Sequence, residues 1–203
     1  TSSYSLIARI PMGTIIGSGR YYLIGDEYVE GDWGAPVDLE VSMTLSNASS
    51  NTDAIRLLDC NHIVVDTVVY GNSQNSTDPW VDDFGNVPNS FAPKPVSGKS
   101  NARIPNGIDT NNSGVDFDAT SPSPKAQNGS GGSTNSGSCD SNSGVVINEF
   151  VSDPAGSDTD KEWVEVYNSS NQNVDISEWK LEGGASSYAT IANIPGGMMI
   201  APG

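Results

Sequence analysis

Glu162-Trp163-Val164-Glu165-Val166-Tyr167 decides the class of fold. Trp163, Glu165 and Tyr167 alternate with Val164 and Val166, and a period of two is that of a strand with unlike faces. Upstream, Val145-Val146-Ile147-Asn148-Glu149-Phe150-Val151 is a short β-branched run, and the turn residues Asp153-Pro154-Ala155-Gly156-Ser157-Asp158 lie between the two. Downstream, a polar loop over 168–173 leads into Val174-Asp175-Ile176-Ser177-Glu178-Trp179-Lys180-Leu181. There Val174, Ile176, Trp179 and Leu181 are the expected core positions. The first part of the chain reads alike. Tyr21-Tyr22-Leu23-Ile24 is apolar throughout, as in a buried strand, and Leu39-Glu40-Val41-Ser42-Met43-Thr44-Leu45 alternates cleanly. The runs 54–59 and 63–70 flank Cys60-Asn61-His62 and predict a hairpin. No segment keeps apolar residues at helical spacing for three turns. Many short strands with polar turns predict an all-β sandwich or barrel.

An internal repeat organises these strands. Residues 2–19 reappear as residues 186–203, a shift of 184 positions. Ten of the eighteen aligned positions are identical: Ser2, Ser3, Tyr4, Ile7, Ala8, Ile10, Pro11, Gly13, Ile16 and Gly19 match Ser186, Ser187, Tyr188, Ile191, Ala192, Ile194, Pro195, Gly197, Ile200 and Gly203. The chain is therefore expected to hold the back of one copy (1–128), a linker (129–144) and the front of the next (145–203), a fragment cut out of phase. The Gly-, Ser- and Asn-rich linker has nothing to bury and predicts a flexible coil, about 22 Å from end to end. That reach lets the front segment complete the sandwich that the back segment lacks, as a circular permutant. The two Ser-Ser-Tyr stretches would then compete for one strand position. Failing that, open sheet edges would invite strand exchange between copies.

Net charge and composition exclude some functions. With 9 basic and 25 acidic residues the chain carries −16, which repels phosphate backbones and anionic membranes. No nucleic-acid partner is expected, and no apolar run is long enough for membrane insertion. Two cysteines, Cys60 and Cys139, allow one bridge or two thiols. Five glycosylation sequons begin at Asn47, Asn75, Asn111, Asn128 and Asn168, as expected by chance in a chain so rich in Asn and Ser.

The motifs resemble a known family. Ile147-Asn148-Glu149-Phe150, then Asp158-x-Asp160-x-Glu162-Trp163-Val164-Glu165-Val166-Tyr167-Asn168, then residues 174–181, resemble the opening of prokaryotic lamin tail domains. Val64-Val65-Asp66-x-Val68-x-Tyr70, Ser100-x-x-Arg103-x-Pro105-x-Gly107-x-Asp109-Thr110, Asp116-Phe117 and the stretch 121–128 resemble the remainder. The resemblance implies an immunoglobulin-like β-sandwich used as an accessory module of secreted or cell-surface proteins. It further implies a non-enzymatic structural, adhesion or protein-binding role. The alternatives are an accessory domain of a secreted hydrolase of nuclease or phosphoesterase type, and a carbohydrate-binding module. The order departs from the family, since the back half precedes the front.

Candidate sites are few. His62 is the single histidine and reads as an exposed turn residue, where the family more often places glycine. No catalytic constellation and no organic cofactor are expected. Asp153, Asp158, Asp160 and Glu162 cluster on a turn and strand start, a donor set that suits calcium. Asp26, Glu27, Glu30 and Asp32 form a second acidic loop, and Asp78, Asp82 and Asp83 a third. Solvated acidic loops that keep the protein soluble are the plainer reading of all three. Trp33 and Trp80, placed in loops, are candidate platforms for a surface glycan. Glu149 and Glu165 read as structural, bonded to backbone amides or to a buried arginine such as Arg103.

Overall fold

The computed structural model describes residues 3–73, 80–128 and 144–185. In chain order the strands are β1 (Ser3–Arg9), β2 (Ile15–Ile16), β3 (Tyr21–Gly25), β4 (Leu39–Glu40), β5 (Thr52–Leu58), β6 (Val64–Gly71), β7 (Ser100–Arg103), β8 (Phe117–Thr120), β9 (Val145–Val151), β10 (Trp163–Asn168), β11 (Val174–Asp175) and β12 (Lys180–Ala185). Two single-turn helices, α1 (Val29–Trp33) and α2 (Ser113–Asp116), interrupt them. A four-stranded sheet runs β1-β12-β5-β6 and a six-stranded sheet runs β4-β3-β10-β9-β7-β8. β2 and β11 form a small separate pair. Only β3 and β4 pair in parallel; every other ladder between these strands is antiparallel.

Both large sheets draw on both segments of the chain. β12 sits between β1 and β5, and β9 with β10 sits between β7 and β3. Removing residues 144–185 would open each sheet down its middle. The inner faces pack together: Ile55, Leu57, Val68 and Leu181 of the smaller sheet join Ile24, Ile147, Phe150 and Val164 of the larger in one core. The rings of Tyr70 and Phe150 meet across it at 4.9 Å. This is an immunoglobulin-like sandwich of two mainly antiparallel sheets.

Each outer face carries a tryptophan plug. On the larger sheet, Trp33 packs with Val29, Ala35 and Val37 over Leu23, Val151 and Trp163. On the smaller, Trp80 packs with Tyr4 and Phe91 over Ala54 and Val69. Its indole covers Gly184 of β12, where a Cβ would collide with the ring.

Two local readings differ from expectation. Burial alternates without a break from Leu39 to Leu45, yet only residues 39–40 form a ladder. Beyond them the Val41 amide still bonds to Gly25 O, but the Met43 and Leu45 amides bond to side-chain carboxylates. Trp33 closes a helical turn and does not lie in an open loop. The hairpin of β5 and β6 turns through Cys60-Asn61-His62, where exposed His62 adopts φ +66°, a conformation that glycine favours.

Candidate functional site

Arg103 lies at the end of β7, 1 % exposed, between the two sheets. Nη2 donates to both oxygens of Asp66 on β6, at 3.2 and 2.9 Å, so the pair spans the sandwich. Nη1 donates to Asp109 Oδ1 at 3.2 Å, Asp116 Oδ2 at 2.9 Å and Ile108 O at 2.8 Å, and Nε donates to Ile147 O at 3.0 Å. Burial opposes the guanidinium charge, but Asp66, Asp109 and Asp116 outweigh it and hold its pKa above the usual value. Asp66 also accepts the Ile147 amide at 2.6 Å. Asp83 lies beside these groups, and a carboxylate oxygen from each of Asp66, Asp83 and Asp109 falls within 4.8 Å of the others. Burial first, then the charges of Asp66 and Asp109, push Asp83 up to about 8. Arg103 is already the cation of this cluster, so the arrangement acts as a lock between sheets.

A second buried cluster joins two acidic loops that are far apart in sequence. Because β3 pairs with β10, Asp26 directly follows the strand end opposite Trp163, and its amide bonds to Glu162 O at 3.1 Å. Asp26 Oδ1 accepts the Met43 amide at 3.0 Å, and Glu162 Oε2 accepts the Leu45 amide at 2.5 Å. The two carboxylates thus stand in for the carbonyls of a missing strand. Asp26 is 1 % exposed, and its Oδ2 finds no hydrogen-bond partner among the described residues. Burial pushes Asp26 up to about 6, with the Asp160 charge adding to it. Burial pushes Glu162 up to about 9, with Asp158, Asp26 and Asp153 adding to it. Such a pair favours a bound proton or a bound cation.

A third network fastens the stretch 121–128 to the strands that follow it. Glu149 Oε1 accepts the Ser123 amide at 2.9 Å, and Glu165 Oε2 accepts the Lys125 amide at 2.5 Å. Asn128, fully buried, donates from Nδ2 to Arg103 O and Asn148 O. Burial pushes Glu165 up to about 8. Both glutamates bond to amides, and Arg103 turns to aspartates.

The structure gathers the expected metal residues only in part. Glu162 is buried, Asp153 and Asp160 are half-buried, and Asp158 is exposed, accepting from Asn47 Nδ2 at 3.1 Å. Among the described residues, the one group of three acidic ligand atoms within 4.8 Å is instead Asp66, Asp83 and Asp109. Sequence reasoning kept Asp26 in a separate loop from Glu162; strand pairing joins them. Trp80 is 5 % exposed and its Nε1 donates to Thr52 O at 2.9 Å, so neither ring face is open to a glycan. Trp33 is half-buried in its plug. Cys60 is exposed at the hairpin turn, while Cys139, Asn75 and Asp78 lie outside the described residues. The sequon residues Asn128 and Asn168 are wholly buried, which removes them as glycan acceptors in the folded chain. No helix among the described residues is long and apolar enough to cross a membrane.

Comparison with known proteins agrees with this geometry. The family model of the lamin tail domain matches residues 139–203. No curated protein and no solved structure matches the chain. The matched stretch contributes β9 to β12, the strands that complete both sheets. Residues 139–203 are similar to the lamin tail domain, an immunoglobulin-like fold whose members are generally non-enzymatic interaction modules.

Proposed function

We propose that the chain is a structural and interaction module of a secreted or cell-surface multidomain protein, built of lamin tail repeats in which one copy is closed by the next. The observation that carries this reading is the use made of the polar motif residues. Asp66, Arg103, Asp116, Ser123, Lys125 and Asn128 bond to one another or to Ile147, Asn148, Glu149 and Glu165, and so tie residues 3–128 to residues 144–185. Groups that could serve acid–base chemistry are engaged in holding the sandwich shut. The Asp26–Glu162 pair is the module's candidate calcium site, supported by the buried Asp26 Oδ2 and by Asp153, Asp158 and Asp160 around it.

The purified chain should be assayed against phosphodiester and phosphomonoester substrates with calcium, magnesium or chelator. The expected result is no turnover. A rate that follows the purified chain and disappears in Asp83→Asn or Glu162→Gln would replace the module reading with an enzymatic one.

A further inference from the structure

β1 is an edge strand held almost entirely by one short stretch of chain. It pairs with β12 alone, from Ser3↔Ala185 to Arg9↔Lys180. Past the strand, the Ile10 amide bonds to Trp179 O, the Glu178 amide to Ile10 O and the Ile176 amide to Thr14 O. Ser177 Oγ accepts the Gly13 amide, and Ile16 pairs with Val174. Residues 174–185 therefore form a seat, and residues 4–16 fill it.

The seat has a second claimant in the same chain. Between residues 4 and 19 the buried positions are Ile7, Ala8, Ile10 and Ile16. All four recur unchanged 184 positions later, as Ile191, Ala192, Ile194 and Ile200. Tyr4 meets Trp80 edge-on at 4.9 Å and lies 3.7 Å beneath the Arg56 guanidinium; it recurs as Tyr188. Gly13 and Gly19 have φ of +85° and +64° and recur as Gly197 and Gly203. Of the exposed positions from 4 to 19, Arg9, Met12, Ile15 and Ser18 change, and only the two positive-φ glycines are kept. Identity between the two copies thus falls where the seat constrains a side chain or the backbone.

The connection also fits. Tyr4 pairs with Gly184, so Tyr188 in the same register leaves Ala185, Ser186 and Ser187 as the link from β12. Three residues is a common length for a turn between antiparallel strands, and β1 runs antiparallel to β12.

We propose that residues 188–200 are an alternative occupant of the β1 seat, in the same register, and that this edge is where successive copies exchange strands. The exchange rests on the module reading above, since its use is to let each copy be closed by its own continuation or by its neighbour's. The test compares thermal melts of the full chain carrying Ile7→Asp, Ile191→Asp, or both. Each single change should lower the melting temperature by less than about 5 °C, because the other copy fills the seat. The double change should lower it by about 15 °C or more, since an aspartate then enters the core whichever copy is used. In the Ile7→Asp chain the amides of residues 191–194 should gain protection from hydrogen exchange. A loss in Ile7→Asp as large as in the double variant overturns the proposal and leaves the module reading intact. A double variant as mild as the singles also overturns it. An unaltered chain that shows no cooperative melt overturns the module reading and the exchange with it.

Discussion

Arg103 shows what a single buried charge does in this sandwich. Three aspartates and two carbonyls converge on its guanidinium, and one of the aspartates comes from the opposite sheet. Replacing it with methionine keeps the volume but strands Asp66 and Asp116 as buried anions. The expected cost is about 3–5 kcal/mol, read as a fall in the urea midpoint at pH 7. Arg103→Lys should not restore stability, because a point charge cannot serve Ile147 O, Ile108 O and the aspartates together. The sign of the pH effect follows. Burial already raises the Asp66 carboxyl and Arg103 opposes that rise, so without the cation Asp66 holds its proton further above the unfolded range and the loss should shrink as pH falls from 7 towards 4.5. The sequence left Glu149 and Glu165 two partners, backbone amides or a buried arginine such as Arg103, and they take the amides of Ser123 and Lys125. Arg103 meets Asp66, Asp109 and Asp116. Which carboxylate an arginine meets depends on a neighbour across the sheets, and no spacing along the chain encodes that.

Within elements, glycines set how closely the outer plugs can approach. Gly184 lies in β12 directly beneath the Trp80 ring, and Gly183 beside it would bring a Cβ to 2.8 Å from Ile7 Cδ1. Gly184→Val should therefore lift the indole, break its bond to Thr52 O and cost about 2–3 kcal/mol, with a matching change in tryptophan fluorescence. Gly31, in α1, has open space around its Cα and an ordinary backbone angle. Gly31→Ala should leave stability unchanged or raise it by up to about 1 kcal/mol. A Gly31→Ala chain as damaged as Gly184→Val would show that contact at Trp80 is not the cause. These elements also show what alternation can reveal. It marked the strand at 162–167 and the buried face along 39–45, though only 39–40 form a ladder, because a face against the core needs apolar side chains whoever the neighbouring strand is. It could not show that the Met43 and Leu45 amides bond to Asp26 and Glu162, nor that Trp80 plugs an outer face. Both depend on which segments become neighbours in space: Glu162 lies 117 residues from Leu45, and the Gly184 beneath Trp80 comes from β12.

At the scale of the whole molecule, buried acids and a net charge of −16 act in the same direction. A carboxyl whose folded pKa exceeds its unfolded value takes up protons on folding. Its contribution is complete below about pH 4 and is lost as pH rises through the folded value. Asp26 completes that loss near 6, Glu165 near 8 and Glu162 near 9. Self-repulsion of the acidic surface grows over the same range. With chelator present, the melting temperature should fall steadily between pH 5 and pH 9, by about 5–10 °C. Asp26→Asn with Glu162→Gln should flatten that slope, because each amide side chain still offers an oxygen to Met43 or Leu45 and carries no charge. Calcium supplies the sharper contrast. A cation that replaces the proton at Asp26 and Glu162 stabilises most where the proton is gone, so millimolar calcium should raise the melting temperature at pH 8.5 and hardly at pH 5. The rise should vanish in the double amide variant. A calcium effect of equal size in that variant would move the cation elsewhere on the acidic surface. No calcium effect at either pH would leave the pair as a proton-bound anchor for the extended stretch 41–45, with its charge held off by burial alone.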